Sequence, residues 1–392
     1  MHVEWTLDHF AHADVQEQAC HALGALAFHS ALNQVAITQK GGITAIVSAL
    51  KQHPMHTGVQ SQCCNALMNL ARNDENQVAI AQTDGIAVVV AALTQHLTHV
   101  GVQVEGCKAL ANLALDDTNR KIIAMQGGIT SVITALKQHV TDEVVQEQCC
   151  AALVNLAYES ADNQADIVNS DGIIVLVTAL KQHPMHTGVQ QVGCRVLGRL
   201  AYGNSDQQVA VAKAGGIEVL LAALKQHPTH AVLQSTACLA LNHLAHGNVK
   251  NAAAIAAAAT NTKIYGQALL TMLSRSALKN SKKGGIAVAI ATLNQRLTHV
   301  DSSSNPHMQE EACNTLAIFT MFGNAYEQLA IVNTGGIEAV VSVLKQRPKR
   351  ASVWLQCCLV LNEIAKNSDN QVAIAKVGGM AVVVDCEMFD GY

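Results

Sequence analysis

The chain has 392 residues, 50% apolar, 14% charged and 3% aromatic, with a formal net charge of −4 and no Lys/Arg-rich run, which excludes a nucleic-acid or membrane-surface footprint. Its longest apolar stretches, Ile173 to Val177 and Ala252 to Ala259, are too short to span a bilayer, and Met1 to Phe10 lacks a signal-peptide core. A soluble protein is expected, cytoplasmic with access to the nucleus, without direct membrane insertion and without nucleic acid as a partner, its interior built from Ala, Val, Leu and Ile in closely stacked helices.

Along the chain a Gly-Ile or Gly-Met turn recurs with its glycine at Gly42, Gly85, Gly128, Gly172, Gly216, Gly285, Gly336 and Gly379, at intervals of 43, 43, 44, 44, 69, 51 and 43 residues. A period near 43 residues predicts a helical solenoid. A second marker runs in step, from Val15-Gln16-Glu17-Gln18-Ala19-Cys20 through Val59 to Cys64, Val102 to Cys107, Val145 to Cys150, Val189 to Cys194, Leu233 to Cys238, Met308 to Cys313 and Val353 to Cys358.

Within one repeat, Asn76 to Gln82 predicts a short first helix opened by the capping residue Asn76 and closed at Asp84-Gly85. Glycine at the turn reaches positive φ freely and tolerates close approach of a neighbouring backbone, while the position before it alternates between Gly and Asp. Ile86 to Leu93, apolar on nearly every side, predicts a second helix buried between repeats. The polar loop from Gln95 to Val100 is where the five prolines, Pro54, Pro184, Pro228, Pro306 and Pro348, fall in their own repeats. The third helix, Val102 to Leu115, places Val102, Gly106, Ala109, Leu110 and Leu113 on one face, with Gln103, Glu105, Lys108 and Asn112 elsewhere.

Three helices of this size and order, with the glycine turn and an Asn-Leu-Ala ending, resemble the armadillo repeat; HEAT repeats usually have two helices and lack the short first one. The resemblance implies an all-α fold, a right-handed armadillo-repeat superhelix or alpha solenoid. One domain over 1–392 is expected, with about seven full three-helix repeats between a partial first repeat (1–28) and a truncated last repeat (370–392). An insertion at 247–283 interrupts it, with Ile264 to Ser276 able to form an added helix beside Lys279, Lys282 and Lys283. Neither end has an obvious polar capping repeat, so the expectation is either a fragment of a longer product or end-to-end self-association.

In armadillo proteins that bind extended peptides, third helices line a concave groove and a ladder of asparagines holds the ligand backbone. The matching positions here read Ala25, Asn69, Asn112, Asn155, Arg199, His243, Ile318 and Glu363. A carboxamide offers a donor and an acceptor to the peptide unit without selecting a side chain; the structural alternative is that these asparagines bond to one another or to neighbouring backbone. The tryptophan that importin-α carries four residues earlier is replaced by Asn65, Lys108 and Ala151, so nuclear-signal pockets are absent. Arg72, Lys108, Arg195, Arg199 and His243 make the candidate groove basic, and Tyr158 and Tyr202, three residues after the ladder position, offer anchors. In this respect the surface looks like the catenin type of groove, which accepts acidic extended ligands. The resemblance thus implies a non-enzymatic scaffold or adaptor whose partner is an extended, acidic segment of another protein. The alternatives are a nuclear transport receptor-like cargo binder and a metal- or pH-responsive protein built on a histidine edge.

No nucleophile elbow, His-Glu-x-x-His, phosphate loop or dinucleotide glycine pattern is present, so no catalytic residue, cofactor or metal is expected. Eight of the twelve cysteines share one position in their repeats. Such positions lie about 8 to 10 Å apart, beyond the roughly 7 Å that a disulfide spans, so buried, unbridged cysteines are expected. Histidines pair at i, i+3 in the second-to-third helix loops (His9/His12, His53/His56, His96/His99, His183/His186, His227/His230), with His139 and His299 single. Two histidines supply half of a tetrahedral metal shell, and the penultimate repeat has Arg347 and Arg350 instead, so solvated loop histidines are expected, able to become cationic below about pH 6.5.

Overall fold

The computed structural model describes residues 12–248, 250–252, 335–346 and 351–387, with positions 254, 255, 258, 313, 316, 317, 320 and 331–333 between them. The partial first repeat before residue 12, most of the expected insertion, Gly285, His9, His299, Pro306, Pro348, Ile318, Arg347 and Arg350 lie outside the described residues. Every regular element among the described residues is a helix. The chain forms two compact units, 1–200 and 201–392.

The first unit opens with α1 (Ala13–Ala27) and continues as α2 (Ala31–Gln39), α3 (Gly42–Gln52) and α4 (Thr57–Leu70), then α5 (Asp74–Gln82), α6 (Gly85–Gln95) and α7 (Val100–Leu113). It repeats the pattern in α8 (Asp117–Met125), α9 (Gly128–Gln138), α10 (Glu143–Leu156), α11 (Ala161–Asn169), α12 (Gly172–Gln182) and α13 (Thr187–Ala201). Like stacks on like. First helices run α2, α5, α8, α11; second helices α3, α6, α9, α12; and third helices α1, α4, α7, α10. The expected inner face of α7 is buried throughout, with Val102, Ala109, Leu110 and Leu113 at 0% exposure. Small residues allow this spacing: a Cβ on Gly106 would fall 2.7 Å from Leu93 Cδ2 of the same repeat.

Among the described residues, the second unit has one complete layer, α14 (Ser205–Lys213), α15 (Gly216–Gln226) and α16 (Ala231–Ala245), mutually packed. It also holds α17 (Gly336–Lys345), α18 (Ala351–Ile364), α19 (Ser368–Lys376) and α20 (Gly379–Glu387), with Ile337, Val340, Leu344, Val353, Val360 and Ile374 in a shared core.

Three details depart from expectation. The first helix starts earlier: Asn73, not Asn76, is the cap of α5, its side chain accepting from Asn76 N at 3.0 Å, while Asn76 is buried inside the helix. Its carboxamide donates to Leu70 O and to Gln34 O of the preceding first helix, Asn163 and Asn251 bridge in the same way, and Asn119 donates to Gln77 O. The glycine turn divides its two tasks between neighbours. Positive φ falls on the residue before the recurring glycine (Gly41 +81°, Asp84 +62°, Gly127 +79°, Asp171 +66°), and the recurring glycine itself meets the close backbone. Finally, Gln103 is not on the polar face but 0% exposed, its Nε2 donating to Leu93 O (2.8 Å) and His96 O (2.9 Å) at the end of α6.

The histidine edge is structural rather than solvated. His96, His183 and His227 are buried, and His96, His139 and His183 reach through Nε2 to the preceding loop's carbonyls at Pro54, Leu97 and Val140, 2.6–2.7 Å away. In four of the pairs the second histidine is a helix cap: the Nδ1 atoms of His56, His99, His186 and His230 accept from Val59, Val102, Val189 and Leu233 N at 3.1–3.2 Å, whereas His12 precedes α1 without a side-chain cap bond. Where the pattern has no second histidine, Asp142 accepts from Val144 and Val145 N instead. A side-chain acceptor at this position satisfies an otherwise orphaned helix donor. His99→Ala is therefore expected to lower stability by about 1 kcal/mol, and His99→Asp to preserve it, as read from the midpoint of urea denaturation. Among the described residues no group of three or more His, Cys, Asp or Glu side chains could hold a metal ion.

Candidate functional site

Four consecutive third helices of the first unit, α1, α4, α7 and α10, border a groove of about 670 Å³. Its walls carry His21, Phe28, Asn65, Asn69, Arg72, Lys108, Asn112, Gln148 and Asn155, with Gly24, Ala25, Ala111 and Ala151 keeping the floor low. Asn69, Arg72, Lys108, Asn112 and Asn155, all expected at such a site, meet here. Arg195, Arg199 and Tyr158 belong to the same unit but do not line this groove, and Tyr202 and His243 lie in the second unit, their rings 4.9 Å apart.

The asparagine ladder has a structural task of its own. Asn112 Nδ2 donates to Met68 O (2.9 Å) and Asn155 Nδ2 to Ala111 O (2.8 Å), each on the preceding third helix. These carbonyls sit in the last turn, where helical partners run out, so each carboxamide fastens one third helix to the next. Asn69 is 3% exposed and donates within its own helix, to Asn65 O and Oδ1 at 3.1 and 3.2 Å. Its Oδ1 is buried without a partner. Asn112 and Asn155 are half-buried, and each primary amide retains a second N–H and a carbonyl oxygen.

The groove's charge is positive. Lys108 Nζ binds Glu105 Oε1 at 3.0 Å, and Asn65 Nδ2 holds the other carboxylate oxygen at 2.9 Å, so that ammonium is partly neutralised. Arg72 has no carboxylate partner among the described residues; its guanidinium lies 5.5 Å from the Phe28 ring centroid, with NH1 3.4 Å from His29 Nδ1. Phe28, 53% exposed, is an aromatic wall that the expected set omitted. It occupies the same register as Tyr158 and Tyr202, three residues past the ladder position, which is the signal that would have found it.

Farther along the unit, Arg199 stacks at 4.5 Å from the Tyr158 centroid, with Arg120 at 5.5 Å. Desolvation, reinforced by the charge of Arg195, lowers the Arg199 pKa from its usual value. A hydrogen bond with Glu159 raises that of Tyr158.

Stacked three-helix layers with a third-helix groove define the armadillo-repeat class, whose solenoids typically serve as protein-binding scaffolds. A family model described as LRRK2 ARM repeat matches residues 43–304, and the chain belongs to that armadillo-repeat family. Protein aardvark of Dictyostelium discoideum is 43% identical over 70 residues, which is 16% of this chain and 9% of that protein's length. The crystal structure of an engineered protein superposes with a TM-score of 0.63 at 27% identity, covering 95% of this chain and 90% of that one. A designed armadillo repeat protein in complex with peptide (KR)4 has a TM-score of 0.51 at 18% identity, covering 60% of this chain and 99% of that one, and shows likeness of fold.

Proposed function

We propose that the first unit is a peptide-binding module of a scaffold or adaptor, receiving an extended acidic segment of another protein along α1, α4, α7 and α10. The observation that carries this is the composition of the groove: Arg72, Lys108 and His21 line it, and among the described residues no carboxylate does. An extended ligand needs repeated backbone partners and sparse charge contacts. Asn112 and Asn155 supply unused amide groups about one repeat apart, and Phe28 with Arg72 supplies an apolar and cationic anchor at one end. The basic peptide (KR)4 bound by the designed neighbour is opposite in charge to the ligand favoured here, so the two grooves share a fold without sharing a partner.

The test uses two fluorescein-labelled octapeptides, alternating Asp-Glu and alternating Lys-Arg, with binding read by anisotropy at low and physiological salt. The acidic peptide is expected to bind, more weakly as salt rises, and to lose roughly tenfold or more in affinity in the Arg72→Glu/Lys108→Glu variant. Tighter binding of the basic peptide, or indifference to the charge reversal, would overturn the reading.

A further inference from the structure

Cysteine thiols meet across repeats, but not at equivalent positions. Cys63 Sγ lies 2.9 Å from Cys20 Sγ, Cys149 Sγ 3.3 Å from Cys107 Sγ, and Cys357 Sγ 3.2 Å from Cys313 Sγ. In each pair the earlier repeat contributes its recurring cysteine and the later repeat contributes the first member of a Cys-Cys doublet. One residue back along a helix is a rotation of about 100°, which turns the extra thiol toward the preceding repeat. Where that position is Gly106, Gly193 or Ala237, no thiol is available to face the neighbour. None of the described cysteines is bridged, and all six members of these pairs are at most 3% exposed.

We propose that Cys20–Cys63, Cys107–Cys149 and Cys313–Cys357 are three sites of disulfide formation under a peroxide-class oxidant, each stapling one repeat to the next. One sulfur attacks the peroxide, the O–O bond breaks, and a sulfenic acid and one water result. The partner sulfur then displaces the sulfenic oxygen as a second water, forming the S–S bond. Two thiols lose two electrons and two protons in all, and the peroxide takes up both. The sulfurs must close to about 2.05 Å, a movement of roughly 1 Å shared between two side chains. Contact with Cys20, and then burial, pushes the Cys63 thiol well above its usual pKa, and burial does the same first of all for Cys149. Thiolate is therefore scarce, and the sites respond to sustained oxidation rather than to brief pulses. Each bond would close a loop of 42 to 44 residues in the unfolded chain, so the oxidised protein is the more heat-resistant form.

The experiment treats the reduced, folded chain with hydrogen peroxide, blocks remaining thiols with N-ethylmaleimide, and maps a non-reducing digest by tandem mass spectrometry. Peptides linked through Cys20–Cys63, Cys107–Cys149 and Cys313–Cys357 are expected, with a melting temperature higher by about 5 °C that returns to its starting value on dithiothreitol treatment. Cys63→Ala should lose the Cys20 link, whereas Cys64→Ala, a change at the adjacent and equally buried residue, should keep it. The pair of variants separates the staple from a general loss of folding. Full alkylation of every thiol after oxidation, or links that run through Cys64 instead of Cys63, would overturn the proposal.

Discussion

Gly128→Ala is expected to destabilise the first unit by about 3 kcal/mol, although it adds one methyl group to a helix. A Cβ at this position would lie 2.9 Å from the carbonyl oxygen of Ile123 and still closer to that residue's side chain. The carbonyl belongs to α8 and cannot swing aside without breaking the corner that sets α8 against α9. The same collision recurs at Gly42, Gly85, Gly172, Gly216 and Gly379, with backbone oxygens 2.5–3.0 Å from the added carbon. Alanine's helical propensity, worth about 1 kcal/mol over glycine, opposes the loss and is too small to offset it. The neighbouring substitution separates sterics from backbone freedom. Gly127 has φ +79° with open space where a Cβ would stand, and Asp84 and Asp171 already occupy that position at +62° and +66°. Gly127→Asp should therefore cost no more than about 1 kcal/mol, and a urea melt following both variants by circular dichroism orders them. A Gly128→Ala midpoint equal to wild type would show that the corner yields freely.

The repeat was legible because its markers are spaced by physics that acts locally: an apolar second helix, a turn that needs glycine, and a loop that tolerates proline. The recurring glycines open α3, α6, α9, α12, α15, α17 and α20, so register and element order follow from them. What single-repeat patterning concealed was the polar interior. Read on one amphipathic helix, Gln103 belongs with Glu105 and Lys108; its burial becomes visible only through recurrence at Gln60, Gln146, Gln190 and Gln234. Histidine pairs misled in the same way, since i, i+3 spacing suits a metal pair and equally suits one ring bonded to a loop carbonyl and another capping a helix. The groove was half legible. Side chains at Asn69, Arg72, Lys108, Asn112 and Asn155 share a register and meet, whereas Phe28 was overlooked because Ala25 breaks the asparagine series beside it.

Gln103→Leu should cost the first unit about 1 to 2 kcal/mol, despite replacing a polar side chain in a fully buried site with an apolar one of similar length. By hydropathy alone the change ought to stabilise, because Gln103 is 0% exposed and its Oε1 has no partner. The opposite sign follows from the two acceptors that its Nε2 serves. Leu93 O, in the last turn of α6, receives no backbone N–H, His96 O receives the turn N–H of His99 at 3.0 Å, and Gln103 binds the two carbonyls at 2.8 and 2.9 Å. Leucine leaves Leu93 O without a donor in a region closed to water, at about 1 to 3 kcal/mol for that unsatisfied group, while His96 O keeps the His99 N–H. Removing the lone Oε1 and adding apolar contact recovers only part of that. Gln60, Gln146, Gln190 and Gln234 clamp the corresponding helix ends at 2.7–3.0 Å, so a second replacement at Gln190, far from the first, should add nearly its full effect. Gln82→Leu, on the exposed side of α5, provides the contrast and should fall within about 0.5 kcal/mol of wild type. Amide hydrogen exchange locates the damage: protection should fall at the α6 end and the start of α7 in Gln103→Leu. A stabilised Gln103→Leu protein would mean that burial of the side chain, rather than its two hydrogen bonds, holds this corner together.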